Sequence, residues 1–326
     1  MRFVCITSPY YDYLTATLIE GLQELGHDIF ASENSNYATN TSNSRIRKEA
    51  EKADSIIVFS NNQVRTWLVE DIANPNKVYV DGSDRQEFRV YPYIRFKLVF
   101  KRELSRCWEN KAVEPVYPLP FAAEKRYFKP IYLPRDIRVS FAANLNNNTM
   151  RYSVHQRLLN RREPTIFSGS TGEHAYSSKK ARGLPIETPK YRDILYRSRI
   201  AVNVAGAGYD CARFWEIPAA GALLFTQELD IFIPNPFTDG TNCVIFRSLD
   251  EFSEKLDFLM SSSSNVSMMA ESGREHLLKY HTTIKRAEYF LKVVSENRDG
   301  NGFCDSFFVG DRPASLLNRL YLYIKR

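Results

Sequence analysis

Along the first half of the chain, short apolar runs alternate with stretches whose apolar residues recur every three or four positions. Arg2–Thr7 reads as a buried strand. Asp12–Leu25 follows as a helix, with Leu14, Leu18, Leu22 and Leu25 on one face and Gly26 as its C-cap. Asp28–Ala31 reads as a second strand, Ser44–Lys52 as a charged helix and Ser55–Phe59 (SIIVF) as a third strand. A helix over Gln63–Ile72, stopped by Pro75, precedes strands over Lys77–Val80 and Phe96–Phe100. Strands separated by helices predict a parallel sheet covered on both faces.

From Pro115 to Pro134 the periodicity is lost, and Pro118, Pro120 and Pro130 mark this stretch as a linker. A second series of the same kind then begins, with a strand at Ile137–Ala142, a helix at Arg151–Leu159 and a strand at Thr165–Phe167. It continues with a helix at Tyr191–Arg197, a strand at Ile200–Val204, a helix after Asp210, and strands at Ala222–Thr226 and Val244–Phe246. Helices over Leu249–Leu259, Ser267–Tyr280 and Thr283–Ser295 close it, and Ala314–Ile324 is helical and basic at its end. The expected organisation is α/β: a domain over 1–120, a linker over 121–136, a second domain over 137–300, and a tail over 301–326 whose helix returns to the first domain. Doubly wound domains bind ligands in a crevice at the carboxyl ends of their strands.

The length of 326 residues suits two such domains, and 44% hydrophobic with 25% charged residues is ordinary globular composition. No apolar run approaches the roughly 18–20 residues that span a bilayer, so no transmembrane segment is expected. Cys5, Cys107, Cys211, Cys243 and Cys304 are scattered and form no CxxC pair. That pattern argues against a zinc site or a disulfide framework. With a first stretch that enters a strand directly and lacks a signal peptide, it leads to the expectation of a cytoplasmic protein. The formal net charge of +6 fits an anionic ligand and equally fits a solvated basic surface.

The chemistry concentrates in Tyr191–Gln227 (YRDILYRSRIAVNVAGAGYDCARFWEIPAAGALLFTQ). A buried strand runs into a loop bearing Gly206 and Gly208, Asp210 stands where an N-cap would lie, and the helix that follows carries Arg213 and Glu216 on one face before Gly221 ends it. Loop glycines let backbone N–H groups approach a diphosphate, and the helix N-terminus favours its charge. Arg213 offers a planar fork to phosphate oxygens, and Glu216 can accept both hydroxyls of a ribose. The same pair also fits a local ion pair supporting a surface.

Arg213, Glu216, Ala219 and Gly221 in the order R-x-x-E-x-x-A-x-G resemble the donor-binding motif of GT-B glycosyltransferases, in particular the group similar to CgeB spore-maturation proteins. Val139–Arg151 (VSFAANLNNNTMR) resembles that group's loop after the first strand of the C-terminal domain, and Lys279–Arg286 (KYHTTIKR) its closing HT-plus-arginine element. The resemblance implies a GT-B fold, two Rossmann-like domains facing each other across a cleft. It implies transfer of a hexosyl or pentosyl group from a nucleoside-diphosphate sugar, first of all a UDP-sugar, with no obligatory cofactor. It puts Glu216 on the ribose, Arg213 at the diphosphate, and Arg151 and Asn144 on the phosphate side. Related enzymes often carry a second carboxylate seven residues from the ribose-binding Glu; here those positions are Tyr209 and Leu223. This leans the reading towards inversion.

Inverting transfer needs a base for the acceptor hydroxyl. The candidates past strand ends in the first domain are Asp12, Asp81 and Asp84, with Tyr10, Tyr11, Tyr13, Lys101 and Arg102 as acceptor contacts. A plain structural account of the DGSD turn is that Asp and Gly form turns and cap backbone N–H groups. No histidines have metal-ligand spacing and DGSD is not a DxD, so no metal is expected. The GxGxxG of a dehydrogenase is absent after the first strand. A nucleotide-sugar epimerase would need a His/Glu set that the sequence does not reveal. A non-catalytic nucleotide- or glycan-binding module with the same fold is the alternative from another class. The acceptor is a glycan or a modified (hydroxymethylated) DNA base, since phage DNA glucosyltransferases share the GT-B fold and the basic stretches Arg157–Arg162 and Ser178–Arg182 could follow a phosphate backbone. Oligomeric state is left open.

Overall fold

The computed structural model describes residues 1–8, 11–32, 41–60, 72, 74, 76–86, 96, 98–106, 116–128, 134–145, 148–171 and 188–297. They form two compact units. Unit 1 takes the described residues of Met1–Phe121, Asp230–Pro234 and Thr283–Arg326, and unit 2 those of Ala122–Leu229 and Asn235–Thr282.

Unit 1 is built on β1 (Arg2–Ile6), β2 (Asp28–Ala31), β3 (Ser55–Ser60), β4 (Lys77–Asp81), β5 (Leu98–Lys101) and β6 (Val116–Pro118). All neighbours pair in parallel, in the order β2-β1-β3-β4-β5-β6. Side chains of a strand alternate between faces, so each strand feeds two cores. Phe3, Cys5, Ile57, Phe59, Val78 and Val80 pack on one face with Leu14, Leu18 and Leu22 of α1 (Tyr13–Glu24). Val4, Ile6, Ile56, Val58 and Val99 pack on the other with Ile46 and Ala50 of α2 (Asn43–Glu51).

Unit 2 holds β7 (Ile137–Ala143), β8 (Ile166–Ser170), β9 (Ser198–Asn203), β10 (Leu223–Gln227) and β11 (Val244–Phe246), again all parallel, in the order β11-β10-β9-β7-β8. Its helices are α3 (Thr149–Asn160), α4 (Thr188–Arg197), α5 (Ala212–Ala219), α6 (Leu249–Ser261) and α7 (Ser263–Tyr280). Because β7 pairs with β8 on one side and β9 on the other, the strand order reverses there. The carboxyl ends of β7 and β9 are therefore a topological switch point, the place at which open α/β sheets bind ligands.

Three departures from the sequence pattern have physical reasons. The Pro-rich stretch contains β6, whose Val116 to Pro118 pair with Val99 to Lys101; its proline closes the last position of a short edge strand, which a proline tolerates. The last helix of the second series, α8 (Thr283–Glu296), belongs to unit 1, where Ala287, Phe290, Val293 and Val294 join the α1 core. Gly21 permits that approach, since a Cβ there would collide with the Thr283 carbonyl. Asp210 does not cap α5: Cys211 holds the N-cap position, and the Asp210 carboxylate accepts from the Trp215 indole at 2.8 Å. The helices expected at Gln63–Ile72 (apart from Ile72) and Ala314–Ile324, and the basic stretch Ser178–Arg182, lie outside the described residues. Among the described residues, no helix is long and apolar enough to cross a membrane.

Candidate functional site

The switch point of unit 2 is assembled by two buried arginines. Arg213, in the first turn of α5, reaches back over the ends of β7 and β9. Its Nε donates to Ala142 O at 2.8 Å, and its Nη1 to Asn203 Oδ1 at 3.3 Å and Val204 O at 3.5 Å. Nη2 makes no hydrogen bond to a described residue, so one donor edge of the fork remains available. Arg151, from the first turn of α3, holds the loop that follows β9. It donates to Val204 O and Ala205 O through Nε, to Asn144 O through Nη1, and to Val204 O and Cys211 Sγ through Nη2. Burial, and next the charge of Arg213, push the Arg151 guanidinium down to about 10.

The two loop glycines have different reasons. A Cβ at Gly206 would stand 2.7 Å from Arg151 Nη2, so the residue is small to admit that guanidinium. The Gly208 carbonyl accepts from Gly206 N at 2.8 Å and closes the turn. The Cys211 side chain supplies no cap to α5, leaving the first-turn N–H groups, with their partial positive charge, without a side-chain acceptor.

Glu216 lies one turn on, 4% exposed, and accepts the Tyr191 hydroxyl at 2.6 Å. No direct Arg213–Glu216 ion pair forms, so the local pair that the spacing allowed is not made. Burial raises the Glu216 carboxyl above its ordinary 4.5; hydrogen bonding from Tyr191 and Tyr127 and the charge of Arg213 oppose this. Burial, then the Glu216 charge, raise the Tyr191 hydroxyl. The Tyr127 and Tyr191 rings meet edge-on at 6.1 Å. Neither tyrosine stands out in the sequence. Tyr127 falls in the Pro-rich stretch taken as a linker, and only tertiary packing brings the two together.

Of the other donor candidates, Asn144 joins the site through its carbonyl, whereas Gly221 lies at the opposite end of α5. There it ends the helix with φ +71°, a conformation open to glycine. The KYHTTIKR element divides between the units. His281 packs on Trp215 in unit 2 and shares the Asn235 carbonyl with His276, and Arg286 donates to Phe121 O in unit 1.

In unit 1, Asp81 is engaged with Lys101 and Asp84 with Arg102, whereas Asp12 and Tyr13 have other partners. Asp12 is the N-cap of α1, accepting from Thr15 N at 2.8 Å and Thr15 Oγ1 at 2.7 Å. Asp81 is buried and accepts from Lys101 Nζ at 3.0 Å and Ser83 N at 3.0 Å. Asp84 pairs with Arg102, which also contacts Glu103 at 3.3 Å and lies over the Phe121 ring at 4.6 Å. Tyr11 is 44% exposed, Tyr13 packs against Phe121, and Tyr10 lies outside the described residues. Among the described residues, no group of three or more His, Cys, Asp and Glu could hold a metal ion.

Comparison with known proteins places this geometry. Residues 149–292 match a family model described as glycosyl transferase-like; the match starts at α3 and takes in Arg151, Tyr191, Arg213 and Glu216. No curated protein matches the sequence. A glycosyltransferase from Rickettsia africae is similar in structure with TM-score 0.67 at 11% identity, over 90% of this chain and 98% of that one. Anabaena HepE, solved with UDP-glucose, gives TM-score 0.65 at 9% identity, over 90% and 99%. A putative UDP-N-acetylglucosamine 2-epimerase from Listeria monocytogenes gives 0.51 at 10%, over 92% and 97%. The chain therefore has the GT-B type of fold, two Rossmann-like α/β units, and carries its glycosyl transferase-like match on the stretch that holds Arg151, Arg213 and Glu216.

Proposed function

We propose that the protein is a glycosyltransferase that moves a sugar from a nucleoside-diphosphate sugar to an acceptor hydroxyl. One observation carries this: the open edge of Arg213, the uncapped start of α5 and buried Glu216 converge on the switch point of unit 2, inside the stretch that matches the glycosyl transferase-like model. A diphosphate suits the arginine edge and helix N-terminus, and a ribose suits the carboxylate. Arg151 acts one step back, fixing the loop on which the phosphates would lie. The UDP-glucose complex of Anabaena HepE supports a UDP-sugar as the donor.

Inverting transfer, a glycan or modified DNA base as acceptor, and a base among Asp12, Asp81 and Asp84 complete the proposal. Asp84 is the strongest of the three, since its side chain is 54% exposed, whereas Asp81 is sealed against Lys101. A binding module without transfer is favoured by one fact only, that all three carboxylates already have protein partners. Incubation with UDP-glucose and candidate acceptors, read as UDP release and glycosylated product, tests the proposal. UDP-glucose that binds but stays intact would establish the module, and its conversion to an epimer would establish an epimerase. Acceptor class follows from salt, because DNA binding weakens steeply as salt rises and a neutral glycan does not respond.

A further inference from the structure

A pocket of about 610 Å³ opens at the C-terminal end of α5, with Arg135, Arg199, Arg274, Ser263, Ser264 and Glu271 in its lining. Arg135 precedes β7 and Arg199 is the second residue of β9, so the pocket sits at the amino edge of the unit 2 sheet. The switch point is at the other edge, roughly 20 Å away for a strand of seven residues.

Arg135 donates to Tyr196 O at 3.4 Å, to Ser198 O, and through Nη2 to Ala220 O at 2.9 Å; Arg274 donates to Ala219 O. The bonds to Ala220 O and Ala219 O cap the last carbonyls of α5, where cations are favoured; they account for Arg135, and Arg274 spends only Nη1 on its bond. They do not account for Arg199, which is exposed and makes one hydrogen bond, from Nε to Arg135 O at 3.1 Å. Among the described residues, none of the three makes an ion pair with a carboxylate, and Glu271 is the one carboxylate among the lining residues. Burial, and next the charge of Arg274, push Arg135 down to about 10. Three guanidiniums thus face one cavity against a single carboxylate, beside the hydroxyl-bearing residues Ser263 and Ser264.

We propose that this pocket is a second anion site, for a small phosphorylated molecule whose phosphoryl group is taken by Arg199 and Arg274 and whose remainder fills the cavity. The guanidinium fork matches phosphoryl oxygens, and the volume falls within the range of small-molecule sites, well beyond one phosphate. The site stands whether or not the donor reading holds.

Calorimetric titration of the full chain at low salt, with glucose 6-phosphate and separately with inorganic phosphate, tests it. Glucose 6-phosphate should bind more tightly than phosphate, and Arg199→Glu and Ser264→Glu, both at exposed positions, should each weaken it by about tenfold or more. Glu216→Gln, at the switch point, should leave that affinity unchanged. Absence of binding at concentrations on the order of 10 mM, or wild-type affinity in Arg199→Glu, would overturn the site. Loss of binding in Glu216→Gln would show that the probe occupies the switch point instead. Equal affinity for the two probes would overturn the organic ligand and leave inorganic phosphate.

Discussion

The carboxyl edges of the two sheets hold similar numbers of buried charges but treat them in opposite ways. In unit 1, Lys101 is matched by Asp81, and Arg102 by Asp84 and Glu103, so the edge neutralises itself. In unit 2, Arg151 and Arg213 are anchored by carbonyl oxygens, and the nearby carboxylate, Glu216, is turned to tyrosines. Carbonyl anchors hold a guanidinium in place without cancelling its charge. The edge of unit 2 thus keeps positive charge that no carboxylate cancels, which is what the proposed donor site requires, and the edge of unit 1 neutralises its own.

The largest effect expected from breaking this contrast is in unit 1. Lys101→Ala leaves Asp81 buried without its ammonium partner and should cost about 3–5 kcal/mol. Adding Asp81→Ala should restore a good part of it, as read from urea midpoints. In unit 2, Arg151→Met leaves Val204 O, Ala205 O and Asn144 O without that donor, for a loss of about 3 kcal/mol. No carboxylate substitution rescues it, because no carboxylate is its partner, and nucleotide affinity should fall as the loop loosens. Gly206→Ala is milder: its methyl meets Arg151 Nη2, and a loss of about 1–3 kcal/mol with weakened UDP binding is expected from calorimetry and thermal melts.

The smallest effect is a pH dependence. Burial raises the folded Glu216 carboxyl above its unfolded value, so the folded state holds that proton longer than the unfolded one. Its contribution is therefore lost as pH rises from the unfolded value near 4.5 through the raised folded value. Relative to wild type, Glu216→Gln should gain stability over that rise, and parallel melts from about pH 4 to pH 7 would show it.

Much of this architecture is legible in residue order because the periodicities are strong. Leu14, Leu18 and Leu22 mark the buried face of α1, and SIIVF marks β3. The glycine loop and the Arg213/Glu216 spacing mark the candidate site. What stays hidden depends on distant partners. Only packing shows that α8 joins α1, with Gly21 as the faint local sign. Val116 to Pro118 become a strand because an edge position tolerates the proline that argued against one. Arg151 and Gly206 are each visible as candidates, but their dependence on one another is a contact across the loop. Tyr191 and Tyr127 carry no motif, and their role exists only where Glu216 is buried against them.

The claim that a nucleoside diphosphate binds at the switch point of unit 2 is tested most directly by calorimetric titration of UDP into wild type and Glu216→Gln. The variant keeps an acceptor for the Tyr191 hydroxyl, so its fold is expected to be retained. UDP is expected to bind the wild type, with an affinity lower by about tenfold or more in the variant and the melting transition still cooperative. Equal affinities in the two proteins, or no UDP binding by either, would contradict it.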